Sequence, residues 1–433
     1  MNRPETPQPL TPAQAALPVA GEERRIVSIG GGIARTALLC LVLAIGGCGS
    51  LPRNPAPPQR SLTAAIPQMP EVRARAGQPN EAMERDLALS FAQESPRDFP
   101  PGADGSVRYP HLALSGGGAY GAFGAGYLNG WSSTGTRPVF KIVTGVSTGA
   151  LMAPFAFLGA ELDDALREFY TTPRTRAIFV VGSLLSQLSQ LLGGEALADT
   201  RPLQALIERH VDDDLLFRVA EAHRQGRRIY IGTTDLDVPR FVVWNMGLIA
   251  ASGSPDALAL FRQVMLASAS IPVAFPPVFF QVELEPGGPR YDEMHVDGGV
   301  GARVFLNGGV FRGSLVRQRG GHGGAGHEDI FVIHNGQLVP VPEQVSRSLP
   351  AIAVRVIDAS GRSAVIGDLF RIFSYAQREQ AGFQWITIPD DVVVGGEEIF
   401  DPAQMRSLYE AGFAMATAGG AWFTLPPGGR AQP

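Results

Sequence analysis

The sequence predicts an α/β fold, a sandwich built on a mostly parallel central sheet, and three observations predict it. Twice, at Val107–Leu128 and again at Val139–Phe155, an apolar or β-branched run passes through glycine straight into a stretch of small residues with helical character. From Glu161 onward, helical and extended patterns alternate, which is how strands joined by crossover helices read in a sequence. At 433 residues, 45% hydrophobic and 18% charged, the chain has material for one large domain or two modest ones.

The first 50 residues do not read as part of that domain. Arg24, Arg25 and Arg35 precede a small, apolar run, Thr36 to Gly47, that is long enough for the core of a signal peptide and too short to span a bilayer. Ile45-Gly46-Gly47-Cys48 closes the run and resembles the lipobox of bacterial lipoproteins, which implies cleavage before Cys48 and lipid on that residue. The alternatives are an ordinary secretory signal or an N-terminal membrane anchor. The stretch before the apolar run is long for such a signal, which suits a translation start downstream of Met1. Gly49, rather than Asp, follows the cysteine, so the expected location is the periplasmic face of the outer membrane of a Gram-negative bacterium.

Cys40 and Cys48 are the only cysteines, so a chain starting at Cys48 holds no intramolecular disulfide and no thiolate metal cluster. Residues 1–47 carry four Arg and three acidic residues, and without them the net charge of −5 becomes one unit more negative. Anchoring is therefore expected from lipid and not from charge. The basic residues, 35 Arg and the single Lys141, form no stripe, and no nucleic-acid partner is expected. Residues 48–106, dense in proline from Pro52 to Pro70, read as a flexible tether with a polar helix near Asn80–Gln93.

Order is expected from Val107. The strand Val107–Leu114 runs into Ser115-Gly116-Gly117-Gly118-Ala119-Tyr120-Gly121, with a helix from Ala122. Gly116, Gly118 and Gly121 spell G-x-G-x-x-G, but a dinucleotide site also needs an acidic residue about 20 positions on. None occurs between Gly121 and Ala160, and no P-loop lysine exists. What remains is a cradle of backbone N–H groups for an anion, or a tight turn without a ligand.

Val139–Phe155 contains Gly145-Val146-Ser147-Thr148-Gly149, a Gly-x-Ser-x-Gly between strand and helix. That is the form of a nucleophile elbow, whose turn tolerates only small flanking residues and projects Ser147 at the positive end of a helix dipole. With 52 glycines in the chain, about 0.4 such matches arise by chance, so the motif gains its meaning from its setting.

Thr200-Arg201-Pro202 opens a helix to His210, and Leu184–Leu192 is amphipathic, a core helix or a lid. Arg228–Thr233 and Arg240–Trp244 read as neighbouring strands, and Pro255–Ser268 as a helix ending in Ala267-Ser268-Ala269-Ser270. The strand Tyr291–Val296 leads into Asp297-Gly298-Gly299, either an ordinary turn or one that holds a carboxylate able to reach Ser147. His295 lies on the same strand face as Asp297, either lining the site or packing. His322, His327 and His334 follow the elbow in the order that a Ser-acid-His triad needs. His322 and His327 lie in a glycine-rich loop without a third ligand, and no metal is expected there. Leu349–Phe423 alternates strand and helix again, and residues 426–433 read as a loose tail.

A glycine-rich loop, a Gly-x-Ser-x-Gly elbow and a later Asp-Gly-Gly, in that order, resemble the patatin-like phospholipase family over about residues 107–425. Ile231–Asp237, Val242–Gly247 and Ile366–Arg371 resemble its bacterial lipoprotein-type members. The resemblance implies a three-layer α/β/α sandwich and a lipid acyl hydrolase with a Ser-Asp dyad and no cofactor. By that resemblance Ser147 is the nucleophile and Asp297 the general base. Gly116, Gly117, Gly118 and Gly121 form the oxyanion loop, Gly145 and Gly149 flank the elbow, and Gly298 and Gly299 make the base turn. Tyr120 stands where the family usually has Arg or Lys, which bears on contact with an anionic head group. The implied substrate is a phospholipid or another acyl lipid. Two readings stand beside it: a non-catalytic lipid-binding or scaffolding lipoprotein of the same fold, and a lipase-type Ser-His-Asp esterase.

Overall fold

The computed structural model describes residues 53–58, 64–172, 180–181, 198–272, 274–311, 326–340, 342, 344–394, 400–420 and 422–429. The expected signal segment, Cys48, Leu184–Leu192 and His322 lie outside these residues.

A nine-stranded sheet organises the molecule. Its strands are β1 (Arg73–Arg75), β2 (Val107–Leu114), β3 (Ile142–Val146), β4 (Arg228–Asp235), β5 (Arg240–Asn245), β6 (Val278–Glu283), β7 (Arg290–Asp297), β8 (Gly326–His334) and β9 (Gly382–Thr387). Strands β9, β8, β2, β3 and β4 run parallel in that spatial order. Beyond β4 the pairing turns antiparallel, to β5 and β1 along one line and to β7 and β6 along another. The central parallel strands are buried on both faces toward their carboxyl ends, where Leu112–Leu114 and Ile330–Ile333 read as apolar runs.

Alternate side chains along each strand go to opposite layers. On one face Leu112, Leu114, Val143, Ile229 and Ile231 pack against α2 (Gly121–Ser133), α3 (Thr148–Leu158), α8 (Ala257–Ser268) and α10 (Pro402–Thr417). On the other, Ile142, Val146 and Tyr230 meet α1 (Glu81–Gln93), and Ala113, Ile330 and Val332 meet the long α9 (Leu349–Glu379). The remaining helices α4 (Asp163–Thr171), α5 (Arg201–His210), α6 (Asp213–Arg224) and α7 (Met246–Ala251) extend the first layer. The result is an α/β/α sandwich with a mostly parallel sheet at its centre.

The flexible tether expected over residues 48–106 needs correction. The described residues from 53 on belong to the same compact unit as the rest. Asn80 caps α1 by accepting the Met83 N–H at 3.0 Å, Glu81 and Glu84 suit its dipole, and Met83, Leu87 and Phe91 fall on one buried face. Asp86 of α1 pairs with Arg228 of β4 at 2.7 Å, and β1 adds to the sheet edge through β5. The polar helix expected near Asn80–Gln93 is present as α1, and its i, i+4, i+8 stripe carries core.

No described helix is long and apolar enough to cross a membrane.

Candidate active site

Strand β3 ends at Val146 and α3 begins at Thr148, so Ser147 alone makes the turn. Its φ of 55° and ψ of −124° lie where L-residues rarely sit, the strain expected of an elbow that forces a side chain outward. The flanking glycines are required by space. A Cβ on Gly145 would come 2.3 Å from the Gly149 carbonyl oxygen, and one on Gly149 would come 2.4 Å from that of Leu114. Leu114 and Gly145 are level in the parallel register, so the elbow and the loop after β2 emerge side by side at the carboxyl ends of the strands.

Ser147 Oγ donates to Asp297 Oδ2 at 2.6 Å, across 150 residues of sequence. Asp297 ends β7, which is paired to β4 with Thr233 opposite Asp297, and β4 in turn pairs with β3 up to Val146–Gly232. The turn after Asp297 crosses over β4: a Cβ on Gly298 would sit 2.2 Å from the Gly232 carbonyl oxygen, so only glycine passes. Gly299 donates its N–H to Asp297 Oδ1 at 2.6 Å, leaving Oδ2 aimed at the serine. Burial pushes the Asp297 carboxyl up to about 6 against the hydrogen bonds from Ser147 and Gly299 and the charge of Arg303.

The glycine loop divides its duties. A Cβ on Gly116 would lie 3.2 Å from Ser147 Cβ, which places the loop against the nucleophile. Its N–H, however, is committed to the Arg303 carbonyl at 3.0 Å, and that of Gly121 to the carbonyls of Gly118 and Ala119. The oxyanion role expected of Gly116 and Gly121 is therefore corrected to a steric one, since a Cβ on Gly121 would strike Thr148 Oγ1 at 2.1 Å. Gly117 and Gly118 have no hydrogen-bond acceptor for their N–H groups among the described residues, and neither does Thr148 at the first position of α3. Asn335, just past β8, anchors the loop through Ser115, with its N–H to Ser115 Oγ at 2.8 Å and Nδ2 to Ser115 O at 2.9 Å.

Residues 112–307 match the family model for patatin, a patatin-like phospholipase. The chain carries a patatin-like phospholipase domain. Ser147 and Asp297 both fall inside the matched residues, and the family's chemistry is lipid-ester hydrolysis. No curated protein matches the sequence. Solved structures resemble it distantly. VipD from Legionella pneumophila is 12% identical with a TM-score of 0.33, over 74% of this chain and 69% of that one. A chain in the complex of SpcU with ExoU from Pseudomonas aeruginosa is 16% identical with a TM-score of 0.27, over 74% and 52%. Human GIVD cytosolic phospholipase A2 is 10% identical with a TM-score of 0.31, over 80% and 64%. The chain thus spans about half to two thirds of the length of these proteins, and the family assignment rests on the domain match alone.

Of the histidines that follow the elbow in triad order, the two described ones go elsewhere. His334 Nδ1 meets Ser115 Oγ at 3.1 Å, and burial holds its imidazole down to about 4. His327 stands at the start of β8, level with Arg108 at the start of β2, and so at the opposite end of the sheet from the elbow. His295 is fully buried behind the base. Trp244 Nε1 donates to Thr233 Oγ1 at 2.8 Å, and Thr233 in turn lies 2.8 Å from His295 Nδ1. An ionised Glu293 can only accept, so the 3.4 Å contact assigns the proton to His295 Nε2.

Asp235, Glu293 and His295 bring ligand-type atoms within 4.8 Å of one another. Arg73 forks onto Glu293, and Arg75 lies 3.2 Å from Glu293 and 3.9 Å from Asp235. With two guanidiniums already balancing two carboxylates, the donor set does not fit a cation. It reads as a brace on the strand that carries Asp297.

An apolar slot of about 40 Å³ begins at Ser147, Thr148 and Gly118 and continues between Leu151, Phe169, Leu203, Ile271, Phe275 and Met405. Sequence reasoning missed these walls because they come from five separate elements. A larger cavity of about 1120 Å³, bordered by Arg240, Asp368 and Tyr375, touches neither Ser147 nor Asp297.

Proposed function

We propose that this chain hydrolyses acyl esters of lipids, phospholipids or lysophospholipids, through a Ser147–Asp297 dyad. The observation that carries the reading is a hydroxyl on a strained elbow, donating at 2.6 Å to a buried carboxylate with no cation in contact with it. An alcohol needs a base as it attacks, and a base works best when its pKa lies near the working pH. Asp297, lifted to about 6, is ionised at neutrality yet far more basic than an ordinary carboxylate.

In the proposed reaction Ser147 Oγ attacks the acyl carbon while its proton moves to Asp297 Oδ2. The carbonyl oxygen becomes an oxyanion facing the N–H groups of Gly117, Gly118 and Thr148 and the positive end of α3. Asp297 then hands its proton to the departing alcohol as the acyl–oxygen bond breaks. Water, deprotonated by Asp297, attacks the acyl-enzyme, and the proton returns to Ser147. Each oxyanion donor of this kind is worth about 3–4 kcal/mol in comparable hydrolases. The walls beside Ser147 are apolar, which suits the methylenes of an acyl chain next to the ester, each contributing about 0.8 kcal/mol when buried.

We also propose that Cys48 is lipidated and holds the domain at the periplasmic face of the outer membrane, next to its substrate. Accumulation of the precursor under globomycin tests this; processing that ignores globomycin sinks it. For the activity, a fluorophosphonate probe should label the purified protein and not Ser147→Ala. Product analysis after incubation with total membrane lipid should show free fatty acid released by the wild type alone. Equal labelling of both proteins moves the nucleophile away from Ser147, and no labelling at any pH favours the lipid-binding scaffold.

A further inference from the structure

We infer that Ser268 is a positioning residue for the nucleophile, an inference that rests on the Ser147–Asp297 reading. Ser268 closes α8 and is fully buried. Its neighbour Ser270 behaves as serines near helix ends usually do, donating back to the carbonyl of Leu266 four residues earlier at 2.9 Å. Ser268 instead reaches out of its helix. Its hydroxyl accepts the Ser147 N–H at 3.0 Å and donates to the Gly232 carbonyl of β4 at 2.6 Å.

The place of that hydroxyl in the sheet explains its use. Val146 and Gly232 are the last level pair of the parallel β3–β4 ladder. Ser147 then turns to φ 55°, and the strands part. The Ser268 hydroxyl bridges the donor of Ser147 to the acceptor of Gly232 across that parting, so the strained amide keeps a partner and a fixed direction. It also assigns the Ser147 N–H to the scaffold, which leaves Gly117, Gly118 and Thr148 as the free donors near the reacting oxygen. The same chain segment holds the base, since Asp297 donates its N–H to the Ser270 carbonyl at 2.8 Å. The end of α8 thus grips both members of the dyad from behind, one by a side chain and one by a carbonyl, and keeps Oγ and Oδ2 at 2.6 Å.

The test is steady-state hydrolysis of a short-chain p-nitrophenyl ester by Ser268→Ala, Ser268→Cys and Ser268→Thr, with Ser147→Ala as reference and circular dichroism to fix the folded fraction. In Ser268→Ala, kcat should fall about 10- to 100-fold, the cost of two buried groups losing a partner, while KM stays within about twofold. The rate of fluorophosphonate labelling should fall by the same factor. Ser268→Cys, with a weak acceptor, should behave like Ala and serves in its place if Ala does not fold. Ser268→Thr keeps the hydroxyl and should recover most of kcat. An inactive Ser147→Ala beside a Ser268→Ala whose kcat per folded molecule is within about threefold of wild type removes the role of Ser268 alone. A Ser268→Thr no better than Ala does the same, and hydrolysis surviving in Ser147→Ala removes the nucleophile and this role with it.

Discussion

Glu293 and Asp297 stand four residues apart on one face of β7, roughly 13 Å along an extended strand, and both are buried. Burial pushes each carboxyl up, yet they end at opposite extremes. Arg73 and His295 overcome the penalty at Glu293 and hold it down at about 2, whereas Asp297, facing a hydroxyl and a backbone N–H with Arg303 acting only through its field, rises to about 6. The difference lies in contact with a guanidinium. A carboxylate that braces a strand is given one, and a carboxylate that must accept a proton is denied one.

The largest effect that can break this contrast is on turnover. Asp297→Asn keeps the shape and the bond from Gly299, but its Nδ2 can only donate toward Ser147 Oγ and takes no proton, and kcat/KM should fall about 10²- to 10⁴-fold. A fall of less than tenfold moves the base elsewhere. In the wild type, log kcat/KM should rise with pH and level off above about 6, because only ionised Asp297 accepts the Ser147 proton. A limb near the ordinary carboxylate value of 3.8 contradicts the burial argument.

On stability the two carboxylates should respond with opposite signs. Glu293→Gln removes the charge that Arg73 and Arg75 face in a buried setting and should lower unfolding free energy by about 3–5 kcal/mol at pH 7. Its depressed value means that this contribution is present above 4.5 and fades as pH falls toward about 2. Asp297 works the other way. A raised value contributes stability below 3.8 and loses it as pH climbs through about 6, so above that the ionised group is a burden of up to about 3 kcal/mol. Asp297→Asn should therefore unfold at higher denaturant than the wild type at pH 8, with the gap closing by pH 4. Equal midpoints at pH 8 mean that Asp297 is not desolvated.

How much of this was legible follows from how local each requirement is. The elbow, the glycine loop and the Asp-Gly-Gly turn announce themselves because crowding at Gly145, Gly149 and Gly298 arises within a few residues or in the adjoining strand, and glycine is the one solution. His295 sharing a face with Asp297 followed from the two-residue period of strands. Which loop amides stay free did not, since Gly116 is claimed by Arg303, 187 positions later. Ser268 and Asn335 looked like ordinary small polar residues, because their partners lie in other elements. The tether expected over residues 48–106 included the helix near Asn80–Gln93 but not its docking, because the ion pairs that fix this segment, Arg73 with Glu293 and Asp86 with Arg228, join segments more than 140 residues apart. The Ile366–Arg371 run carried only a resemblance until Asp368 was seen to accept the Arg303 and Val304 N–H groups at 2.7 and 3.2 Å, tying α9 to the segment after the base.

That tie sets up the smallest and sharpest variation on the contrast. Arg303 lies near Asp297 without touching it: its side chain runs past Gly299 to Gly361 of α9, where a Cβ would sit 2.4 Å from the guanidinium. Its positive charge holds Asp297 lower than burial alone would. Arg303→Gln preserves the backbone carbonyl that receives the Gly116 N–H, and it removes the charge together with the guanidinium's reach and donors. The limb of the pH–rate profile should move upward by less than about one unit, with kcat at pH 8 unchanged within about twofold. A larger shift would make Arg303 a true partner of the base, and Asp297 would then differ from Glu293 in degree and not in kind. No shift would leave burial and the two hydrogen bonds to set the value, which is the contrast in its purest form.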